Sequence, residues 1–316
     1  MTALERVASD IDDRKIPNST ASEPAGAYRT SGYVVFRGLI PQSDIDSLLE
    51  LYRRDIVLSK KKFFRQNTNR YERNVRNPHG FVRQSFLDVH AYASEPRFRE
   101  ALMRIFASKR MLGALSQITG SPRHNLMQSM FFDLNAETQA HQDWWYLDSV
   151  PAGELLASWI ALEDISEEAG RFYVMPGTHN VALHEPGMSH ETWLKRIGDY
   201  VEAHRSQIHA PALNKGDVLF WNSRTIHGSL KTQDERNSRK SLTAHYLPSE
   251  LTFGNLFVSK PWIKYAEWDG IRYFANQPEY SLRADLVTRA KRAVYNNPTL
   301  LRFARKLQKR SLSDLS

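Results

Sequence analysis

The spacing of apolar residues changes character near Gly120. Before it, apolar positions recur at helical intervals. The stretch 43–54, "SDIDSLLELYRR", follows Pro41 and predicts an amphipathic helix, and two more are predicted over 96–107 and 109–118. One earlier run, "GYVVFRGLI" at 32–40, predicts a strand. After Gly120 the apolar runs are short, aromatic and β-branched, and are separated by Gly, Pro, Asn and Asp. They are "LMQSMFFDL" (126–134), "LLASWIAL" (155–162), "RFYVMP" (171–176), "DVLFWN" (217–222) and "SLTAHYL" (241–247). Between the third and fourth lies a polar, partly helical segment, 178–215, with the length of an inserted lid. Helical spacing returns after about residue 284. Helices first and short strands later predict a mainly β core, a sandwich or barrel, with flanking helices.

Composition sets the limits of that picture. The 316 residues are 41% hydrophobic and 11% aromatic, enough to fill a sizeable core. Residues 1–26, polar with Pro17 and Pro24, are expected to form a loose lead-in. One domain is expected over 27–283, with its core at about 120–248, followed by a basic helical tail over 284–316. No apolar run approaches the length of a membrane span, and the charged N-terminus lacks the apolar stretch of a secretory signal. There is no cysteine, so any metal ligand must be His, Asp or Glu. A cytoplasmic location is the expectation that fits.

The net charge of +8 raises the question of an anionic partner. It concentrates in "RRDIVLSKKKFFRQNTNRYERNVR" (53–76) and in the tail, 289–310. Neither stretch carries a nucleic-acid-binding signature, and no nucleic-acid partner is expected. In the tail, Leu300, Leu301, Phe303, Ala304 and Leu307 oppose Arg302, Arg305, Lys306, Lys309 and Arg310. Such a basic amphipathic helix suits peripheral contact with a membrane surface and equally suits docking on the domain's own core.

Candidate chemistry centres on "HQDWWYLD", 141–148. A histidine and an aspartate two apart suit either a polar turn or half of a metal site. In an extended segment, residues i and i+2 point to the same side, so His141 and Asp143 would grip one ion together. A non-haem iron(II) centre needs two imidazoles and one carboxylate on one face. The third ligand is available in "GDVLFWNSRTIHGS" (216–229), whose strand leads into a turn and His227. Twelve positions later Arg239 opens "RKSLTAHYLP", where a guanidinium suits bidentate binding of a carboxylate.

These pieces, in this order, resemble the phytanoyl-CoA dioxygenase family of iron(II)- and 2-oxoglutarate-dependent oxygenases. The resemblance covers about 28–248: "YRTSGYVVFRGLIPQSDIDSLL", "HQDWWY", "ASWIALEDISEEAGRFYVMPGTH", "KGDVLFWNSRTIHGS" and "RKSLTAHY". It implies a double-stranded β-helix, the jelly-roll or cupin-like core, and Fe(II), 2-oxoglutarate and O2 as cofactor and cosubstrates. It implies His141, Asp143 and His227 as catalytic metal ligands. Arg239 would be the partner of the distal 2-oxoglutarate carboxylate, with Ser229, Gln128 and Trp159 beside that cosubstrate. The family's arginine usually stands one position closer to the distal histidine than Arg239 does. Arg236, nine after His227, is therefore a competitor. The carboxylate at Asp143 disfavours halogenation, since related halogenases leave that position to chloride.

The implied activity is hydroxylation of an unactivated C–H with release of succinate and CO2. The substrate is expected to be small or linked to a lipid, CoA or sugar, and anionic. Trp144, Trp145 and Arg83 are candidates to contact it, although the two tryptophans equally suit packing. His179 is expected to anchor a turn. His124, His184, His190, His204, His209 and His245 lack paired spacing and are expected to be structural. Two other readings are a zinc hydrolase, for which no H-E-x-x-H is present, and a non-catalytic basic binding module.

Overall fold

The structure is a computed structural model and describes residues 24–276, 279–295, 297, 299 and 300. In chain order its elements begin with helix α1 (Pro24–Ser31), strand β1 (Tyr33–Phe36) and helix α2 (Gln42–Leu51), which widens into a π-turn over Tyr52–Ile56. The hairpin β2 (Phe63–Arg65) and β3 (Arg70–Glu72), then β4 (Phe86–Leu87), precede helices α3 (Pro96–Phe106) and α4 (Lys109–Thr119). Strands β5 (His124–Phe132), β6 (Asp148–Val150), β7 (Leu156–Ala161) and β8 (Phe172–Val174) lead to α5 (His190–Ala203). The remainder is β9 (Val218–Asn222), β10 (His227–Ser229), β11 (Ser241–Pro248), β12 (Thr252–Gly254), β13 (Ala266–Trp268), β14 (Ile271–Tyr273) and α6 (Leu282–Tyr295).

Local chemistry explains the helix bounds. Ser108 caps α4 by accepting a hydrogen bond from Met111 N at 3.1 Å, and Gly120 ends it in the left-handed conformation, φ 78°. Pro96 opens α3 at the position where a missing N–H costs nothing. Helix α1 already includes 24–26, the last residues of the expected lead-in; residues 1–23 lie outside the described part. Most of the basic tail also lies outside it. The described beginning of the tail is α6, whose Leu282 and Leu286 are exposed. No helix among the described residues is long and apolar enough to cross a membrane.

Two layers of strands form the jelly-roll core. The larger sheet runs β1-β9-β7-β11-β5-β14-β13, with β4 also beside β5; its pairings are antiparallel except β14 with β5. Facing it, β10 pairs antiparallel with β8, and bridges His141–His227 and Val174–His209 extend that pair on both sides. A separate antiparallel pair is formed by β6 with β12.

Period-two alternation divides the large sheet's side chains. Val34, Ile160, Phe220, Leu242 and Tyr246 pack outward onto α2, α3 and α4, against residues such as Leu48, Phe98, Leu102 and Leu115. Tyr33, Val35, Trp159, Leu219 and Trp221 point inward onto Phe172 and Val174. Burying a side chain of this size stabilises the fold by about 2–3 kcal/mol. The inner face is where the polar cluster described below is set.

The segment 178–215 packs as a unit. Ser189 caps α5 through Thr192 N at 3.1 Å, and Trp193 and Ile197 of that helix are buried with Met175, Ile208 and Ile226. It covers the smaller sheet on the side where "DWW" emerges.

Candidate active site

His141 and His227 are cross-strand neighbours: each backbone N–H donates to the other's carbonyl at 3.0 Å. Gln142 is extended (φ −120°, ψ 139°), and Asp143 then starts a 3-10 turn through Trp145. His141-x-Asp143 therefore occupies a single bridge followed by a turn, rather than the end of a regular strand. The one extended residue between them is enough to put both side chains on the same side. The Nε2 atoms of His141 and His227 lie 3.6 and 3.5 Å from Asp143 Oδ1, and the three prospective ligand atoms all fall within 4.8 Å of one another.

The other face of each imidazole fixes which nitrogen is free. His141 Nδ1 lies 2.8 Å from Gln139 O, and His227 Nδ1 lies 3.0 Å from Thr225 O. A carbonyl can only accept, so both Nδ1 atoms carry the proton and both Nε2 lone pairs face the centre. Burial pushes the His227 imidazole down to about 4, which keeps it neutral at ordinary pH. Two imidazoles and one carboxylate, all aimed inward, suit a divalent cation with nitrogen and oxygen affinity.

Asp143 is held from behind. Its Oδ2 accepts a hydrogen bond from Trp221 Nε1 at 2.9 Å, and His245 Nε2 stands 3.4 Å away. Spacing along the sequence assigned His245 a structural role, yet the fold puts it against Asp143. The available signal was the alternation Arg239, Ser241, Thr243, His245, which gives a strand opening on Arg239 one inward-facing residue in two.

Arg239 is only 2% exposed, and no carboxylate lies within ion-pairing distance of it among the described residues. Its Nη1 donates to Ser229 Oγ and to Gly170 O, both at 3.1 Å, while Nε is buried without a partner. Burial pushes the guanidinium down to about 9. Gly170 (φ 78°) is needed at this point, because a Cβ there would meet Leu230 O at 2.6 Å. Arg236, the competitor, is exposed and paired with Asp234 at 2.7 Å. Trp159 stacks on Phe172, centroids 5.7 Å apart, with the Arg239 guanidinium carbon 5.8 Å from its ring. Gln128 sits opposite His245 in the β5–β11 register.

The three substrate candidates are placed differently. Trp145, 8% exposed, stacks on Trp193 at 4.6 Å and 22°, so its ring anchors α5 and is not a free wall. Trp144 is half-buried, donates through Nε1 to Gln142 Oε1 at 3.0 Å, and lies under the Arg224 guanidinium at 4.9 Å. Arg83 is exposed and forms a two-point ion pair with Glu235, at 2.8 and 3.2 Å, rather than joining the cluster. His179 meets its expectation as an anchor: its Nε2 lies 3.0 Å from Arg29 O.

Fold and cluster together define a jelly-roll protein with a two-histidine, one-carboxylate cluster and a buried arginine that has no carboxylate partner among the described residues. The phytanoyl-CoA dioxygenase (PhyH) family model matches residues 28–240, and the chain belongs to that family of 2-oxoglutarate-dependent dioxygenases. A probable phytanoyl-CoA dioxygenase of Caenorhabditis elegans is 24% identical over 266 residues, covering 76% of this chain and 80% of that one. The peroxisomal phytanoyl-CoA dioxygenase of Homo sapiens is 22% identical over 245 residues, covering 71% and 67%. The crystal structure of the epimerase SnoN in complex with Fe3+, alpha ketoglutarate and nogalamycin RO shares the fold. Its TM-score is 0.54 at 19% identity, covering 89% of this chain and 97% of SnoN.

Proposed function

We propose that His141, Asp143 and His227 hold Fe(II), that Arg239 with Ser229 receives the distal carboxylate of 2-oxoglutarate, and that the enzyme hydroxylates an unactivated C–H of a small anionic substrate. The observation that carries this reading is the pair of Nδ1–carbonyl hydrogen bonds, which leave both Nε2 atoms facing one carboxylate oxygen. The partnerless Nε of buried Arg239 supports the second assignment, since a buried guanidinium gains most from a charged, bidentate acceptor.

When bound, iron and 2-oxoglutarate supply an oxidant able to take hydrogen from carbon, with succinate and CO2 released. The chain's part is positioning and exclusion of water. Trp221 holds Oδ2 of Asp143 so that Oδ1 faces inward. Arg239 neutralises the far carboxylate in a wall built by Trp159 and Phe172. Gln128, opposite His245 in the strand register, would orient cosubstrate or substrate. The packed 178–215 segment backs the turn that carries Asp143.

The test is oxygen-dependent conversion of 2-oxoglutarate to succinate across a panel of small carboxylated and phosphorylated compounds. The proposal expects at least one compound to stimulate succinate release, with the stimulation lost in Asp143→Ala and His227→Ala. Stimulated release that survives both substitutions would rule the assignment out.

A further inference from the structure

The run "WIALEDIS" (159–166) carries a carboxylate that the centre just described does not use. Glu163 stands two residues beyond the end of β7, and Asp133 directly follows β5. Between these two strand ends passes the segment Ser238-Arg239-Lys240, which leads into β11.

One carboxylate holds both neighbours of Arg239. Glu163 Oε1 accepts from Lys240 N at 2.6 Å, and Glu163 Oε2 accepts from Ser238 Oγ at 2.9 Å. The Lys240 ammonium lies 3.4 Å from Glu163 Oε2 and 3.3 Å from Asp133 Oδ1, with the Phe81 ring centroid 4.5 Å away. Arg239 itself is tied through its main chain, its N–H donating to Asp133 O at 2.9 Å. Asp133 is anchored in turn, its Oδ2 accepting from the Tyr52 hydroxyl at 2.9 Å and from Val82 N at 2.8 Å. Tyr52 opens the π-turn after α2, a widening of a kind frequent at functional sites.

These contacts differ from surface ion pairs. Asp133 is buried and the Lys240 side chain nearly so, and such charges are costly to bury unless they are paired. Here they fasten the backbone on both sides of one residue. That residue needs it, because an arginine side chain is long and rich in rotamers. The Arg239 guanidinium is held by two uncharged acceptors, Gly170 O and Ser229 Oγ. Where it sits therefore depends on where its own backbone is fixed. A displacement of about 1 Å at a positioning group can cost about 100-fold.

We propose that Glu163 is a positioning residue for the cosubstrate: with Asp133 and Lys240 it clamps the chain on either side of Arg239 and so sets where the guanidinium meets the distal carboxylate of 2-oxoglutarate. This rests on the reading of Arg239 given above. Glu163 acts through the backbone of 238–240, not by contact with the cosubstrate.

The test is anaerobic equilibrium titration of the full chain, with iron(II) present, by 2-oxoglutarate and by 2-oxobutyrate. The second compound shares the 2-oxo acid end and lacks the distal carboxylate. Glu163→Ala is expected to weaken 2-oxoglutarate binding about tenfold, the size typical of contacts that orient a binding group, and to leave 2-oxobutyrate binding unchanged. Glu163→Gln should restore most of the difference, since an amide oxygen still accepts from Lys240 N. Equal weakening of both acids in Glu163→Ala would overturn the proposal by showing general loosening of the fold. Unaltered binding of both would overturn it too. Arg239→Ala is the reference that separates the two readings. If it weakens 2-oxoglutarate alone while Glu163→Ala does not, the clamp fails and the arginine assignment stands. If it affects both acids alike, the arginine assignment fails and takes the clamp with it.

Discussion

Trp221 Nε1 donates a hydrogen bond to Asp143 Oδ2 at 2.9 Å, across 78 residues of sequence. That bond occupies the outer carboxylate oxygen and leaves Oδ1 toward the Nε2 atoms of His141 and His227. Trp221→Phe keeps most of the ring packing against Phe172 and removes only the donor. Such outer contacts typically account for about 10- to 100-fold in metal affinity. Iron(II) binding is expected to weaken by at least the lower figure, at a stability cost of about 1 kcal/mol. Equilibrium metal competition and chemical denaturation measure the two separately; an unchanged metal affinity would show that the bond is packing alone.

Arg239 and Arg236 separate cleanly in the structure. Arg236 is an exposed partner of Asp234, a kind of pair that contributes little in water, so Arg236→Ala should leave 2-oxoglutarate affinity unchanged. Arg239→Ala should reduce it by about 100-fold or more, since a buried charged contact is worth several kcal/mol. It should not destabilise the ligand-free protein in proportion, because the buried charge it removes has no carboxylate partner among the described residues. Fluorescence titration with 2-oxoglutarate decides between the two arginines.

Trp193 of α5 is fully buried against Trp145, the third residue of the turn that begins at Asp143. Trp193→Ala should cost about 3–5 kcal/mol by cavity formation. It should also raise the apparent KM for 2-oxoglutarate, because the turn loses its backing. Trp193→Phe should recover most of both. A stability loss with an unaltered KM would mean that the inserted segment does not support the centre.

His90 is a buried histidine outside the centre, its Nδ1 2.6 Å from Ser129 Oγ and its Nε2 3.0 Å from Phe274 O. Burial pushes it down to about 4 from an ordinary value near 6.5. Between these values the unfolded chain binds a proton that the folded chain refuses, so stability falls as pH drops from about 6.5 to about 4. The full effect is about 3 kcal/mol. Urea denaturation across this range should show a shallower slope in His90→Asn; an identical slope would remove His90 from the account. His124, also pushed down to about 4 by burial, contributes in the same direction and keeps the slope from vanishing.

The long elements were legible because their periodicity runs over enough residues to stand out. The helices at Pro96–Phe106 and Lys109–Thr119 and the strand His124–Phe132 lie close to where apolar spacing puts them. The strands Phe63–Arg65, Arg70–Glu72 and Ala266–Trp268 were not, since three residues carry no measurable alternation. In the site, His141, Asp143 and His227 were legible as residue types in order, and the fold brings them together. The roles of Trp221 and His245 were not, because each depends on which face of a central strand meets Asp143, a register that only the assembled sheet sets. For Trp145 the sequence leaves both packing and a substrate wall open, because an aromatic beside a metal ligand looks the same whether it faces a pocket or a neighbouring helix.

The most direct measurement is anaerobic titration of the full chain with iron(II) and 2-oxoglutarate, followed by visible absorption. The account predicts a weak metal-to-ligand charge-transfer band that saturates at one equivalent of each, persists in Arg236→Ala, and is absent in Asp143→Ala. A folded protein that gives no band, or one whose band survives Asp143→Ala, would contradict the assignment of this cluster as the iron and 2-oxoglutarate site.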